Sequence, residues 1–522
     1  MQINRLTGGW LGNLLCLLAG SVVPLSFAPF NLWPLGVIAP PLLALMLIDQ
    51  PRGRSWLRSL LFGFGLFGAG ASWVYISIHD FGRTPIWLAL IMTGLFVGFL
   101  ALVFSLPFYL FRRWFTPNKA TILIGFPAVW VLGEWLRSWL LTGFPWLYSG
   151  YAHIDTWLAG WAPILGVYGL SLWAITTGCC AVWFGLQVRR IANPNKHINH
   201  ALADTLSTAS PSAFSAVFPA VLLVAIWGGG ALLEKIEWTH FDDSDKVEIA
   251  IIQPNIPLEV KWNPFYRTHI LDTLLNLSEP HWDADLILWP EAAIPLMYSE
   301  ADEFLAELET LAARNNTALI SGIIFDDREQ LQYFNSIVGL GAASQIYYKQ
   351  RLVPFGEYVP LEKYLRGLIE FFDLPNSIIH AGPPNQHNLQ TADYAIAPYI
   401  CYEVVYPDLV AANLDTAELM LTISNDAWFG DSIGPLQHFQ MAQMRALENG
   451  RYMIRGTNTG LSGIISNKGK VETNGSQFIQ EAVTGTAYRT HGSTPFSKVR
   501  SYPTVIFCFV ILLTLFIRRR WR

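Results

Sequence analysis

The chain has 522 residues, of which 52% are hydrophobic and only 14% are charged. Soluble proteins usually carry about 25% charged residues, so this composition excludes a purely soluble globular protein. The net charge of −5 is small and gives no sign of the clustered basic face that binds nucleic acid. The length predicts two or more domains.

The acidic residues are distributed very unevenly along the chain. Of the 39 acidic residues, only five precede residue 230, namely Asp49, Asp80, Glu134, Asp155 and Asp204. An apolar first half is therefore joined to a second half of ordinary soluble composition. We predict a membrane domain over residues 1–236, an extramembrane domain over 237–497, and a C-terminal segment, 498–522, that re-enters the membrane.

Apolar stretches of about the length that crosses a bilayer recur along the chain. Eight are predicted, at 11–27, 32–48, 60–78, 86–111, 120–135, 158–186, 213–233 and 503–517. Clusters of Lys and Arg follow the second, fourth, sixth and eighth stretches, and positively charged loops stay in the cytoplasm. This pattern predicts two cytoplasmic termini and places the block between the seventh and eighth spans on the outer side of the membrane.

The outer block alternates β-rich runs with helical runs. Strands are predicted at 247–253, 286–289, 318–322, 333–340, 345–349, 394–400, 419–424 and 452–457. Helices are predicted between several of them, at 265–278, 301–314 and 436–448. An alternation of this kind indicates a layered α/β or α+β domain.

Three polar residues lie at the carboxyl ends of apolar strands in this block, namely Glu291, Lys349 and Cys401. Strand ends are where a sheet-based enzyme usually gathers its active site. Brought together, the carboxylate would take the proton of the thiol, the thiolate would attack a carbonyl, and the ammonium would stabilise the oxyanion. The sequence therefore predicts a nucleophilic site.

Each of these residues also has an ordinary structural interpretation. Glu291 could cap a following helix, Lys349 could be a solvated lysine on an edge strand, and Cys401 could be a small buried hydrophobic residue. Cys401 is the only one of the five cysteines outside the apolar stretches, so its domain has no partner for an internal disulfide. The sequence contains no CxxC or HExxH spacing, and we expect no metal site.

Longer motifs around the three residues resemble the carbon–nitrogen hydrolase (nitrilase) superfamily. They are Trp289-Pro-Glu291, Tyr348-Lys-Gln-Arg-Leu-Val-Pro-Phe-Gly-Glu-Tyr-Val-Pro360 and Ile400-Cys-Tyr-Glu403. In these extended forms they are similar to the membrane-bound branch of that superfamily, the apolipoprotein N-acyltransferase family. Segments 142–146 and 424–430 share this resemblance. It implies a multi-span α-helical membrane domain plus an α+β nitrilase-like domain folded as an αββα sandwich.

The resemblance implies a role for each residue of a Glu–Lys–Cys triad. Glu291 would be the general base, Lys349 the cation that stabilises the oxyanion, and Cys401 the nucleophile. The backbone N–H of Tyr402 would complete the oxyanion hole.

The resemblance also marks residues around the triad. Glu357 and Glu403 would be active-site carboxylates, although a salt bridge to Lys349 is an equally good interpretation of Glu403. Three aromatic residues are candidates for the substrate entrance, namely Trp262, Trp428 and Phe429. Aromatic side chains also anchor proteins at the level of the lipid headgroups, and this interpretation stays open for all three.

The implied reaction is a two-step acyl transfer with no cofactor. Cys401 would take an acyl chain from a phospholipid, expected to be phosphatidylethanolamine, as a thioester. The α-amine of a diacylglyceryl-cysteine, at the N-terminus of an apolipoprotein, would then accept the chain as an amide. We expect a monomer that spans the bacterial inner membrane several times, holds its catalytic domain in the periplasm and binds no nucleic acid.

Two other functions remain open at this point. A membrane-tethered amidase or nitrilase would use the same three residues on a small extracytoplasmic substrate. A transporter or receptor with a sensor domain is the third hypothesis, but the predicted spans contain few charges and no detectable repeat.

Overall fold

The chain folds into two compact units. The computed structural model describes residues 9–48, 50–115, 120–192, 213–359, 378–414 and 416–520. The first unit consists of Met1–Tyr75, Trp87–Ile236 and Ser501–Arg522. The second consists of Ile76–Ile86 and Glu237–Arg500.

The first unit is built from apolar helices. They are α1 (Gly9–Val22), α2 (Trp33–Leu47), α3 (Arg52–Gly70), α4 (Ile86–Trp114), α5 (Phe126–Arg137), α6 (Ala162–Ala192), α7 (Ala213–Leu233) and the C-terminal helix Tyr502–Arg520. Helices α1 and α3 touch through glycines, because a Cβ on Gly20 would lie 2.0 Å from the Phe62 carbonyl and one on Gly65 would lie 2.1 Å from the Leu17 carbonyl. Small residues permit this close approach of helices.

Four helices in the described ranges are long and apolar enough to cross a membrane. They are Gly9–Ser26, Ile86–Trp114, Trp157–Gly185 and Tyr502–Arg519. Helix α3 passes the same test only together with Val74–Phe81, and the two are bent by 63°. Helix α2 and the apolar part of α7 are shorter, and the predicted span at 120–135 combines a π-helical turn with α5. The predicted stretches are therefore helical where described. Several of them are too short or too bent to meet the length and composition of a membrane-crossing helix on their own.

The segment Ile76–Ile86 belongs to the second unit, although the sequence placed its first residues at the end of the third span. The hydroxyl of Ser77 donates a hydrogen bond to the backbone carbonyl of Trp428 at 2.8 Å. The ring of Phe81 lies edge-on to the ring of Trp428, with centroids 5.7 Å apart. These contacts with a distant part of the sequence explain the difference.

The second unit is built around two six-stranded sheets. Their strand orders are β13-β2-β3-β4-β5-β6 and β12-β11-β10-β9-β8-β7, and β1 pairs with β14 separately. The strands are β1 (Thr239–His240), β2 (Lys246–Gln253), β3 (Leu286–Leu288), β4 (Ala318–Asp327), β5 (Gln332–Gly341), β6 (Ile346–Tyr348), β7 (Leu389–Gln390), β8 (Ala395–Ile400), β9 (Ala417–Ser424), β10 (Met453–Thr457), β11 (Gly463–Ile465), β12 (Val471–Asn474), β13 (Glu481–Tyr488) and β14 (His491–Gly492).

The second unit also contains several α-helices. They are α8 (Leu258–Lys261), α9 (Arg267–Ser278), α10 (Asp302–Arg314), α11 (Pro407–Ala412), α12 (Gly434–Asn449) and α13 (Pro495–Val499). One buried core contains residues from both sheets, and a second lies between the β2–β5 sheet and helices α9 and α10. Helix α12 packs against β10 of the other sheet. The layers confirm the predicted αββα sandwich.

Parallel pairing in the middle of each sheet brings the loops after several strands to the same edge. Strands β2, β3 and β4 run parallel to one another, as do β8, β9 and β10. Parallel strands end at the same edge of a sheet, so the loops that follow them lie side by side. Strands β3 and β8 are fully buried apolar runs, as expected of strands covered on both faces.

Candidate active site

Glu291 and Lys349 meet beyond the ends of β3 and β6. The Nζ atom of Lys349 lies 3.4 Å from Oε1 of Glu291 and 2.9 Å from Oε1 of Glu357. Lys349 is only 1% exposed, which excludes the solvated edge-strand interpretation. No helix begins at Glu291, since α10 starts eleven residues later at Asp302, so helix capping does not explain this carboxylate either.

Asn335 joins the two carboxylates. Its side-chain amide on β5 donates to Oε1 of Glu291 at 2.8 Å and to Oε1 of Glu357 at 3.0 Å. The other oxygen of Glu291 accepts from the backbone N–H of Asn425 at 2.8 Å. Both carboxylates are therefore held in fixed orientations around the lysine. Burial would lower the pKa of Lys349, but the charges of Glu357 and Glu291 outweigh it and raise this pKa well above its usual range. The ammonium stays charged.

Cys401 occupies a sharp turn directly after β8. Its φ angle is +51°, a left-handed conformation that is rare for a residue other than glycine. Burial raises the pKa of the Cys401 thiol, Glu291 adds to this effect, and Lys349 opposes it. The resting thiol is therefore protonated and needs a base to become a nucleophile. The structure places Glu291, Lys349 and Cys401 within electrostatic range of one another.

Glu403 supports the ends of two strands. Its carboxylate accepts from the backbone N–H groups of Gln350 at 2.6 Å and Ile400 at 2.8 Å, and from the hydroxyl of Tyr347 at 3.1 Å. Burial raises the pKa of Glu403 to about 7, while the backbone donors limit the rise. The ion pairs of Lys349 are with Glu291 and Glu357, so the salt bridge considered for Glu403 is not among the described contacts.

The predicted entrance residues lie on two loops. Trp262 follows α8 and is partly exposed, and Phe265 three residues later is 85% exposed. Trp428 and Phe429 lie on the turn after β9, where Trp428 contacts Phe81 and Phe429 lies 6.0 Å from the ring of His438. Tyr402 follows Cys401 in the same turn and packs edge-on against Tyr406. Their assignment to substrate entry stays a prediction.

Three residues of the site were not assigned a role from the sequence, namely Lys261, Asn335 and His438. Burial lowers the pKa of Lys261 to about 8, and its Nζ donates to the backbone carbonyl of Glu291 at 2.9 Å. The imidazole of His438 lies 3.2 Å from the backbone carbonyl of Cys401. Only Asn335 carried a signal in the sequence, since asparagine is unfavourable inside a strand.

Within the described residues, no group of three or more His, Cys, Asp or Glu could hold a metal ion.

Comparisons with known proteins cover almost the whole chain. Residues 19–180 match the family described as apolipoprotein N-acyltransferase N-terminal domain, and residues 248–487 match carbon–nitrogen hydrolase. The apolipoprotein N-acyltransferase of Pseudomonas paraeruginosa is 42% identical over 519 residues, which are 98% of this chain and 97% of that relative. The protein of the same name from Coxiella burnetii is 38% identical over 511 residues, covering 97% of this chain and 100% of that relative.

Proposed function

Because the chain belongs to the apolipoprotein N-acyltransferase family, we propose that it transfers an acyl chain to the N-terminal amine of an apolipoprotein. The proposed donor is a phospholipid, phosphatidylethanolamine in the first instance, and the acceptor is the α-amine of a diacylglyceryl-cysteine. The observation that carries the proposal is the cluster that the buried Glu291 and Lys349 form with the half-buried Cys401, each just beyond the end of a strand.

The first half-reaction charges the cysteine. Glu291 takes the thiol proton of Cys401, and the sulfur attacks the ester carbonyl of the phospholipid. The negative charge on the carbonyl oxygen is stabilised by the ammonium of Lys349 and the backbone N–H of Tyr402. The tetrahedral intermediate then breaks its C–O bond, the leaving alkoxide takes the proton back from Glu291, and a lysophospholipid departs from the thioester.

The second half-reaction transfers the acyl chain from Cys401 to the amine. The neutral α-amine of the apolipoprotein attacks the thioester carbonyl, and the same two donors stabilise the oxyanion. Breaking the C–S bond releases the Cys401 thiolate, while Glu291 takes a proton from the amine nitrogen and returns it to the sulfur. The products are an amide and the resting thiol. The two steps share one covalent intermediate, so ping-pong kinetics are expected.

The proposed location follows from the distribution of charge. Lys and Arg clusters after alternate apolar stretches favour cytoplasmic termini and a periplasmic second unit in a bacterial inner membrane. Both proposed substrates are bilayer lipids, and an enzyme bound to the membrane meets them there. We propose that the enzyme acts as a monomer, since one chain contains all the residues of the cluster.

Intact-mass spectrometry after exposure to phosphatidylethanolamine micelles tests the proposal. The wild-type protein is expected to gain the mass of one acyl chain, and Cys401→Ala is expected to gain none. Cys508→Ala, which removes a buried cysteine of the first unit, provides a matched control and should be acylated normally. An unlabelled wild-type protein that hydrolyses small amides would instead favour the amidase hypothesis.

A further inference from the structure

His438 is a buried histidine on α12 that the proposed chemistry does not use. It is 1% exposed, and its Nε2 atom lies 3.2 Å from the backbone carbonyl oxygen of Cys401. A carbonyl oxygen only accepts hydrogen bonds, so Nε2 must carry the hydrogen. On the other side of the ring, Nδ1 lies 3.0 Å from Nη2 of Arg455 and 3.2 Å from Oδ1 of Asp426.

A buried ion pair fixes the orientation of this imidazole. Nη2 of Arg455 lies 2.7 Å from Oδ2 of Asp426, and Oδ1 of Asp426 accepts from the hydroxyl of Ser424 at 2.5 Å. Burial would raise the pKa of Asp426, but Arg455 and His438 lower it well below its usual range. Burial and the charge of Arg455 lower the pKa of His438, while Asp426 and the hydrogen bond to the Cys401 carbonyl oppose this shift.

The peptide group after Cys401 connects this histidine to the chemistry. The peptide bond is trans, so its C=O and its N–H point in opposite directions. The C=O belongs to Cys401 and faces His438, while the N–H belongs to Tyr402 and is the proposed second donor of the oxyanion hole. Cys401 itself has a strained φ of +51°, so the orientation of this peptide depends on contacts that hold it.

We propose that His438 is a positioning residue for the oxyanion hole, because it holds the Cys401 carbonyl and thereby directs the Tyr402 N–H at the oxyanion. Asp426 and Arg455 act through the histidine by fixing its ring. A hydrogen bond to the carbonyl also polarises the peptide and strengthens its N–H as a donor. The inference rests on the proposed function, in which Cys401 attacks an acyl carbonyl.

Substitutions that keep or remove the donor test the proposal. The amide nitrogen of His438→Gln can occupy the position of Nε2, whereas that of His438→Asn reaches only the position of Nδ1. His438→Leu removes both polar atoms. Met441→Leu changes another buried side chain of α12 and serves as the control. Each variant is assayed for acyl-enzyme formation from labelled phosphatidylethanolamine and for alkylation of Cys401 by iodoacetamide, which needs no oxyanion hole.

Loss of an oxyanion donor costs about 10²–10³ in rate, and we expect roughly tenfold from its misalignment. At saturating lipid, His438→Asn and His438→Leu should slow acyl-enzyme formation roughly tenfold. Alkylation of Cys401 should stay within about threefold of wild type. His438→Gln should recover most of the rate. If His438→Leu does not fold, the polar His438→Asn carries the test.

The positioning role is overturned by a parallel loss of acylation and alkylation, or by unchanged acylation in His438→Asn. A His438→Gln variant as slow as His438→Leu also overturns it. Failure of the proposed function has a different signature, since the wild-type protein itself would then acquire no acyl group on Cys401.

Discussion

The two units each bury a glutamate together with a basic residue, but they use these groups differently. In the first unit, Glu134 accepts from the backbone N–H of Ser149 at 2.8 Å and from the indole of Trp130 at 3.0 Å. Arg137 donates to the backbone carbonyls of Phe144 and Trp146. These side chains hold the backbone of segment 144–149, which includes part of a motif that carried the family resemblance.

In the second unit, the charged side chains face one another and a thiol. Lys349 lies between Glu291 and Glu357, and all three are within 3.4 Å of a partner of opposite charge. Charge burial alone therefore does not identify a functional site. The distinguishing feature is that the second cluster lies beside Cys401, the proposed nucleophile, whereas Glu134 and Arg137 bond to the backbone and neighbouring side chains of their own unit.

Glu291→Gln is expected to have the largest effect on the chemistry of the cluster in the second unit. An amide cannot accept the thiol proton, so acyl-enzyme formation is expected to fall by about 10²–10⁴. Stability should also fall, by about 1–3 kcal/mol, because the amide keeps one oxygen to accept from Asn335 or Asn425 and turns an NH2 donor toward the other donor. Single-turnover acylation by labelled phosphatidylethanolamine and melting temperature in detergent measure the two effects.

Glu307→Gln on the exposed face of α10 provides the matched control and should leave both quantities unchanged. Acylation of Glu291→Gln at close to the wild-type rate would show that another group takes the proton.

The sequence predicted the strand-end residues because their signal is local. Glu291, Lys349 and Cys401 each follow an apolar run within three residues, and the run itself predicts the buried strand. The same reasoning predicted the layers of the second unit. Apolar stretches also located the helices of the first unit. Hydrophobicity alone did not reveal the bend between Gly70 and Val74, so one continuous span was predicted there.

The sequence did not predict the contacts that join distant parts of the chain. Asn335 donates to Glu291 across 44 positions, and His438 contacts Cys401 across 37. Which face of a helix or strand meets a given strand end depends on packing of the whole sandwich. No local spacing or alternation encodes that, so His438 showed no cluster in the sequence although the structure gives it three polar neighbours.

Glu403 provides a pH-dependent test of a carboxylate that has neutral donors instead of a counterion. Its folded-state pKa of about 7 exceeds the ordinary value of 4.5, so the folded state binds the proton more tightly. The resulting stability is fully present below pH 4.5 and is lost as the pH rises through 7, a change of about 3 kcal/mol. The glutamine of Glu403→Gln does not titrate. As the pH rises, the wild type should therefore lose stability relative to this variant.

Denaturant unfolding in detergent at pH 5 and pH 8 measures this shift. An equal difference between wild type and Glu403→Gln at both pH values would mean that the carboxylate is ionised throughout, as its backbone donors favour.

Arg137→Met tests the other side of the comparison. Loss of the guanidinium leaves the carbonyls of Phe144 and Trp146 without this donor, at a cost of about 1–3 kcal/mol. The melting temperature in detergent should fall by several degrees, while acylation per folded molecule should stay within about threefold. Arg113→Met, at an exposed arginine, is the control. A loss of acylation without a loss of stability would give Arg137 a functional role.

Lys261→Met should have a much smaller effect on acylation than Glu291→Gln, because Lys261 contacts the backbone of Glu291 and not its carboxylate. Losing one hydrogen bond of about 1 kcal/mol predicts acylation slower by roughly fivefold. Measurement at pH 7 and pH 9 separates charge from hydrogen bonding, since the pKa of Lys261 lies near 8 and a neutral amine still donates. A ratio of wild-type to variant rates that persists at pH 9 supports positioning by the hydrogen bond, whereas a ratio that falls to one would show that the positive charge acts instead.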